Sequence, residues 1–277
     1  MSQPLQTAAM PRSWRWLFLL FATIGRRRLR KGFRAVRMLH PHRLRDVPAG
    51  PVVVYLNHPS WWDPIVCAEV SRRLLPGRSH RAPISSESLK QYRFFRHIGM
   101  FPVEQASPRG AAEFLRVAGT VLAGDGVLWI TAQGHFTDAR VRPLELKSGL
   151  GALLQRSAGV TVVPLAMEYT FWNQRLPEVL LAAGEPLYVA HPRERSAAEW
   201  TAVLQDRLQI TQDELQQASL QRDEASFATL LQGRRGTAGP YALMQRMRAR
   251  LRGERYNPDH QDRPEQPVRN SHTQGAR

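Results

Sequence analysis

Cysteine is almost missing from this sequence: Cys67 stands alone, so neither an intramolecular disulfide nor a multi-cysteine metal site can form. Its apolar neighbours read it as a small buried hydrophobe rather than a nucleophile. No uninterrupted apolar run reaches the roughly 20 residues that a membrane-crossing helix needs. The most apolar stretch, residues 14–24, contains Arg15 and is followed by the arginine-dense segment G-R-R-R-L-R-K-G-F-R. That segment lacks the small-residue cleavage site that closes a secretory leader. Acidic residues are scarce, 23 Asp+Glu against 39 Lys+Arg, for a formal charge of +16. Such an excess speaks of anionic partners rather than of fold. No helix-turn-helix, zinc or RNP pattern accompanies it, so no nucleic acid partner is expected. A G-x-S-x-G elbow is also missing, which excludes a serine esterase of the α/β-hydrolase kind. No repeat at a solenoid period appears.

What is present begins with residues 1–45, a basic amphipathic segment. Tryptophans at one end and arginines at the other suit a bilayer interface, where rings sit at headgroup level and cations meet anionic lipid. Membrane phospholipids are the expected partner, and the positive-inside bias puts the segment on the cytoplasmic face, peripheral or monotopic. Arg34, Arg37, Arg43 and Arg45 continue the basic run. Residues 46–253 read as one catalytic-size domain, and residues 254–277, polar and without periodicity, as a disordered tail.

Within the domain, strands alternate with helices. P-V-V-V-Y-L at 51–56 is a β-branched buried strand, and further strands are expected near 100–103, at 127–131, 160–167 and 179–183. Ser60 to Asp63 reads as a capping box opening a helix. Ser107-Pro108 reads as an N-cap with proline at the first helical position, ahead of a helix that Gly124-Asp125-Gly126 stops. A helix over 148–158, a second capping box at Ser196–Glu199 before a helix carrying Trp200, Leu204, Leu208 and Leu215, and a basic helix over 241–251 complete the reading. Alternation of this kind predicts an α/β fold with a central mixed, largely parallel sheet flanked by helices. Ligands in such folds lie beyond the carboxyl ends of strands.

The chemistry concentrates in Asn57-His58-Pro59-Ser60-Trp61-Trp62-Asp63, where a histidine leaves a strand and a carboxylate follows five residues later. A carboxylate that accepts one ring N–H fixes the tautomer and frees the other nitrogen to take a proton. His58 would then be a general base and Asp63 its support, with the substrate's own hydroxyl as nucleophile. The plainer reading also stands at this point: Asp63 as capping partner of Ser60, His58 as a turn histidine.

N-H-P-S-W-W-D-P resembles the first block, N-H-x-x-x-x-D, of the lysophospholipid/glycerol-phosphate (PlsC-like) acyltransferase family. Residues 99–104, G-M-F-P-V-E, resemble the second block, with Gln105 where the family has a basic residue and Arg109 four positions on. The third block, usually F-P-E-G-T-R, is divergent: Gly134 matches, while Gln133, His135 and Phe136 replace glutamate, threonine and arginine. Leu146-Lys147-Ser148-Gly149 is similar to F-K-x-G, and V-P-L-A-M at 163–167 to the fourth block. The matches run in order across roughly residues 50–170.

The resemblance implies transfer of a fatty acyl group from acyl-CoA or acyl-carrier protein to a hydroxyl of a lipid acceptor, lysophosphatidate-like or another lipid alcohol. His58 and Asp63 are the implied catalytic residues, with no cofactor, metal or covalent intermediate. Asn57, Gln133, Gly134, Arg109, Arg140, Arg142 and Lys147 are the implied substrate-binding residues. In the family, the altered basic positions are associated with the acceptor's phosphate. Either Arg109, Arg140 or Arg142 supplies that charge here, or the acceptor lacks it. The altered third block also motivates an alternative: a catalytically silent lipid-binding relative or scaffold at the membrane.

Overall fold

The computed structural model describes residues 13–104, 107–234, 244, 247–248 and 250–252. Gln105, the tail at 254–277 and most of the helix expected over 241–251 lie outside them. The described chain runs α1 (Arg15–Gly32), β1 (Ala35–Leu39), α2 (His42–Arg45), β2 (Val52–Leu56), α3 (Asp63–Leu74), β3 (His80–Ser85) and α4 (Ser86–Gln91). A 3₁₀ segment, Arg93–Ile98, leads to β4 (Met100–Val103), α5 (Pro108–Leu122), β5 (Val127–Thr131) and α6 (Gly149–Leu154). Then come β6 (Val160–Thr170), β7 (Glu178–Ala183), β8 (Leu187–Val189), α7 (Ala197–Gln221) and β9 (Ala228–Gln232).

The strands form one sheet in the order β4-β3-β5-β2-β6-β7-β1-β9, with β8 also paired to β6. β2 lies parallel between β5 and β6, with Leu56 level with both Thr131 and Leu165. The β6–β7, β6–β8 and β1–β9 pairs are antiparallel, so the sheet is mixed and mostly parallel as expected. β6 pairs β8 with its first residues and β7 with its last, and Pro164, which has no N–H to give a ladder, sits between the two pairings.

Both faces of the sheet are covered, which explains the unbroken apolar run of β2. Val52, Val54 and Leu56 point to one layer with Val66 and Val70 of α3; Val53 and Tyr55 point to the other with Phe114 of α5 and Leu204 of α7. α5 starts at the predicted cap, the Ser107 hydroxyl accepting from the Gly110 N–H at 2.9 Å. α7 starts with the full capping box, Ser196 with Glu199.

Two expectations need correction. Ser60 and Asp63 form only half of a capping box. α3 begins at Asp63, and the Ser60 hydroxyl accepts from the Trp62 N–H instead, at 3.2 Å. The Asp63 carboxylate has further partners described below. The basic run beyond residue 33 does not lie at the surface as a whole either, although Arg45 is exposed. β1 is an interior strand, parallel to β7, and Arg34 and Arg37 are buried. Arg37 donates to Glu178 and to Thr229, each at 3.2 Å, and lies over the Trp172 ring. A buried charge of this kind is held only by such pairing.

α1 keeps the amphipathic character read from its sequence. Ala22, Gly25 and Leu29 are buried, at helical spacing, against the domain. Trp14, Trp16, Leu19, Leu20 and Ile24 are exposed, as are Arg27, Arg28, Arg30 and Lys31 toward the other end. The 3₁₀ segment extends the same aromatic surface. Trp14 stacks on His97 at 5.0 Å between centroids, and Phe21 meets Phe94 and Phe95. Among the described residues, no helix is long and apolar enough to cross a membrane.

Candidate active site

β2, β5 and β6 lie side by side, and the loops leaving β2 and β5 meet at the carboxyl end of this central group. Asn57 is the first residue off β2. Its side chain takes the place of a peptide group: the amide donates to the Met167 carbonyl, and its oxygen accepts from the Met167 N–H, both at 2.9 Å. The β2–β6 ladder is thereby prolonged by one step after the backbone has turned away. Asn57 is buried, and both polar atoms of its amide engage protein backbone.

His58 follows. Its backbone N–H donates to the Gln133 side-chain oxygen at 3.2 Å, and its carbonyl accepts from the Thr137 N–H at 2.9 Å. The loop after β5 therefore grips the histidine's backbone from both sides. The His58 Nδ1–H donates to Asp63 Oδ2 at 2.6 Å. Asp63 is 1% exposed and His58 18% in their side chains, so the carboxylate is sealed and one edge of the imidazole stays reachable. With Nδ1 held, Nε2 is the nitrogen left to accept a proton.

Asp63 is itself held twice more. Tyr169, on β6, donates its hydroxyl to Oδ1 at 2.7 Å, and the Ser60 N–H donates to Oδ2 at 3.3 Å. Burial and the neighbouring Asp63 charge push the Tyr169 hydroxyl far above its ordinary value, so it stays a donor at any working pH. The Tyr169 ring packs on Phe33, which in turn meets Trp62 edge-on at 5.1 Å. Tyr169 escaped the sequence reading because nothing in its own surroundings marks it: it lies 106 residues from Asp63 and they meet only through the β2–β6 pairing. Cys67, one helical turn after Asp63, is pushed well above its usual range by burial and by the Asp63 charge, and so remains a neutral thiol.

The third-block loop supplies the opposite wall. Gly134 has φ +72°, a backbone conformation that side chains rarely adopt, and the end of the flexible Lys147 side chain occupies the space where a Cβ would lie. Lys147 anchors the loop through its N–H to the Ala132 carbonyl at 2.9 Å, and lays its side chain along Gly134. Gln133 is 5% exposed and faces inward to His58. Phe136 is 59% exposed, and its ring lies over the His58 imidazole with centroids 4.2 Å apart and planes 31° from parallel.

The arginines proposed for acceptor binding are placed differently from one another. Arg140 turns back on Asp138, donating from Nε at 2.9 Å and from Nη2 at 2.7 Å. That contact holds the Asp138 carboxyl down to about 2. Arg142 reaches α7, donating to Asp213 at 3.1 and 2.5 Å. Arg109 is exposed on the first turn of α5 and, among the described residues, makes no hydrogen bond or ion pair with the His58 loop. His135 is exposed at the loop tip.

The arrangement is a histidine oriented by a buried carboxylate, with part of its ring exposed and, among the described residues, no hydroxyl or thiol hydrogen-bonded to that ring. This is the equipment for activating a hydroxyl brought by a substrate. No curated protein matches the chain. Residues 39–168, which run from the end of β1 through the His58 loop to β6, match the model of the Acyltransferase family. Residues 39–168, with β2 to β5, most of β6 and the His58 loop, are thus an acyltransferase domain of the PlsC-like family.

Proposed function

We propose that this protein transfers a fatty acyl group from acyl-CoA or acyl-carrier protein to the hydroxyl of a lipid, with His58 as general base. The acyltransferase family membership supplies the reaction class. The observation that carries the assignment of roles is the 2.6 Å contact from His58 Nδ1 to the buried Asp63. In this reading the acceptor's O–H proton passes to His58 Nε2 as its oxygen bonds the thioester carbon. Asp63 steadies the imidazolium that forms. The carbon–sulfur bond then breaks, and the thiol leaves with the proton that His58 returns. Tyr169 keeps the Asp63 carboxylate aimed at Nδ1, and Asn57 keeps the whole turn on the end of the sheet.

The protein works, in this proposal, at the cytoplasmic face of a membrane, peripherally or as a monotopic protein. Support comes from the exposed apolar residues of α1, from Tyr92 and Phe94 beside them, and from the exposed cations Arg27, Arg28, Arg30 and Lys31. Aromatic and aliphatic groups would enter the interface, and each cation near an anionic surface adds about 1 kcal/mol.

The test is acyl transfer by purified protein on anionic vesicles, with acyl-CoA and loaded carrier protein as donors and a panel of lysolipids and lipid alcohols as acceptors. Product that disappears in His58→Ala establishes the assignment. Undiminished transfer by His58→Ala removes His58 from it.

A further inference from the structure

We infer that Phe136 selects the acceptor, and that the hydroxyl acylated here belongs to a lipid with no phosphate beside that hydroxyl. This rests on the acyl-transfer reading above and adds the class of the second substrate. Four observations carry it.

Phe136 lies on the face of the base itself, at 4.2 Å between ring centroids. Whatever group adjoins the attacking oxygen therefore meets a benzene ring. The face of such a ring is the negative side of its quadrupole and repels an anion. The backbone that carries the ring is also held. The Thr137 N–H donates to the His58 carbonyl, so the residue following Phe136 is tied to the residue it covers. Next, the two arginines of this loop are already paired, which leaves the exposed ammonium of Lys147 beside Gly134 as the loop's remaining cation and no guanidinium free. Arg140 is closed on Asp138, whose carboxyl is held charged at any ordinary pH, and Arg142 is closed on Asp213 of α7. Finally, Phe136 is 59% exposed and Trp61, three residues after His58, is 64% exposed. Both offer apolar area that an uncharged lipid would cover. A phosphate beside the hydroxyl would lose water against this wall and gain no guanidinium in return, a cost that falls on one class of acceptor and spares the other.

The experiment compares two acceptors with the same acyl chain, monoacylglycerol and lysophosphatidate, in neutral mixed micelles with an acyl-CoA donor. The readout is the ratio of their kcat/KM values in the wild-type protein, Phe136→Leu and Phe136→Arg. The wild-type protein is expected to favour monoacylglycerol by at least about tenfold, and Phe136→Leu to keep that preference. Phe136→Arg is expected to move the ratio toward lysophosphatidate by at least about tenfold, because a guanidinium then stands where the ring stood. A wild-type preference for lysophosphatidate overturns the inference while leaving acyl transfer intact, as does a ratio that Phe136→Arg does not move. Binding of the same two lipids to His58→Ala, followed by tryptophan fluorescence, reads selection without turnover. Tighter binding of the neutral lipid, reversed by adding Phe136→Arg, supports the inference; equal binding, or tighter binding of lysophosphatidate, overturns it. Transfer to neither acceptor with selective binding intact counts against the acyl-transfer reading, not against the selecting role of Phe136.

Discussion

The two sides of the site are built differently. On the β2 side the central polar side chains are each held by a partner, Asn57 and Asp63 by residues of β6 and His58 by the first residue of α3. Asn57 engages Met167, His58 engages Asp63, and Asp63 engages Tyr169. On the β5 side, the backbone of the third-block loop is fastened to His58 and Lys147, while several of its side chains are exposed or paired within the loop, as Arg140 is with Asp138. On the first side the His58 ring is held by its Nδ1 and its backbone by Gln133 and Thr137. The second presents a surface whose chemistry can change without disturbing the frame. The match to the Acyltransferase family takes in both.

The comparison can be broken by experiment, most severely at the base. His58→Ala should lower acyl transfer about a thousandfold, as loss of a general base does, with the melting temperature nearly unchanged. A large drop in melting temperature would mean that the turn, not the imidazole, is what matters. Asn57→Ala should destabilise by about 2–3 kcal/mol in chemical denaturation, because the N–H and carbonyl of Met167 are both left unpaired in a buried place. A neutral result would show that the ladder does not need its extra step. Tyr169→Phe should lower kcat about tenfold and leave KM nearly constant, since it removes one bond to a charged group that never touches substrate. An equal change in KM would place the hydroxyl in the substrate path instead. The smallest effect is expected on the other wall. Asp138→Ala should change stability by less than about 0.5 kcal/mol, as exposed pairs usually do, and only a transfer rate shifted beyond about threefold would show that this wall is wired like the first.

How far the residues themselves announced this arrangement follows the same division. The apolar run of β2, the caps at Ser107 and Ser196 and the helical spacing of α7 were readable because each is a local signal. The H-x-x-x-x-D spacing was readable for the same reason: a strand end and the next helical turn suffice to bring the pair together. β1 was not, because Arg37 in A-V-R-M-L suggests a solvated strand or a basic surface until Glu178 and Thr229 are known to receive it. β3 was hidden by the proline and polar residues of H-R-A-P-I-S, and β9 by the shortness of its apolar core. At the site, Tyr169 depended on a contact across 106 residues. The bonds of Asn57 and Gln133 to backbone were equally invisible, since an amide's partners are set by the sheet and not by its neighbours in sequence. Only half of the capping box expected at Ser60 forms: the Asp63 carboxylate accepts from the Ser60 N–H, but the helix starts at Asp63 itself and the Ser60 hydroxyl turns to the Trp62 N–H.

One contact ties the outermost helix to this machinery. Gly25 of α1 faces Ile65 so closely that an added methyl group would lie 2.8 Å from the isoleucine's Cγ2, and Ile65 is two residues along α3 from Asp63. A side chain at position 25 would push α1 away from the helix that begins with Asp63, so one missing methyl group sets how closely the outer helix can lie to the partner of His58.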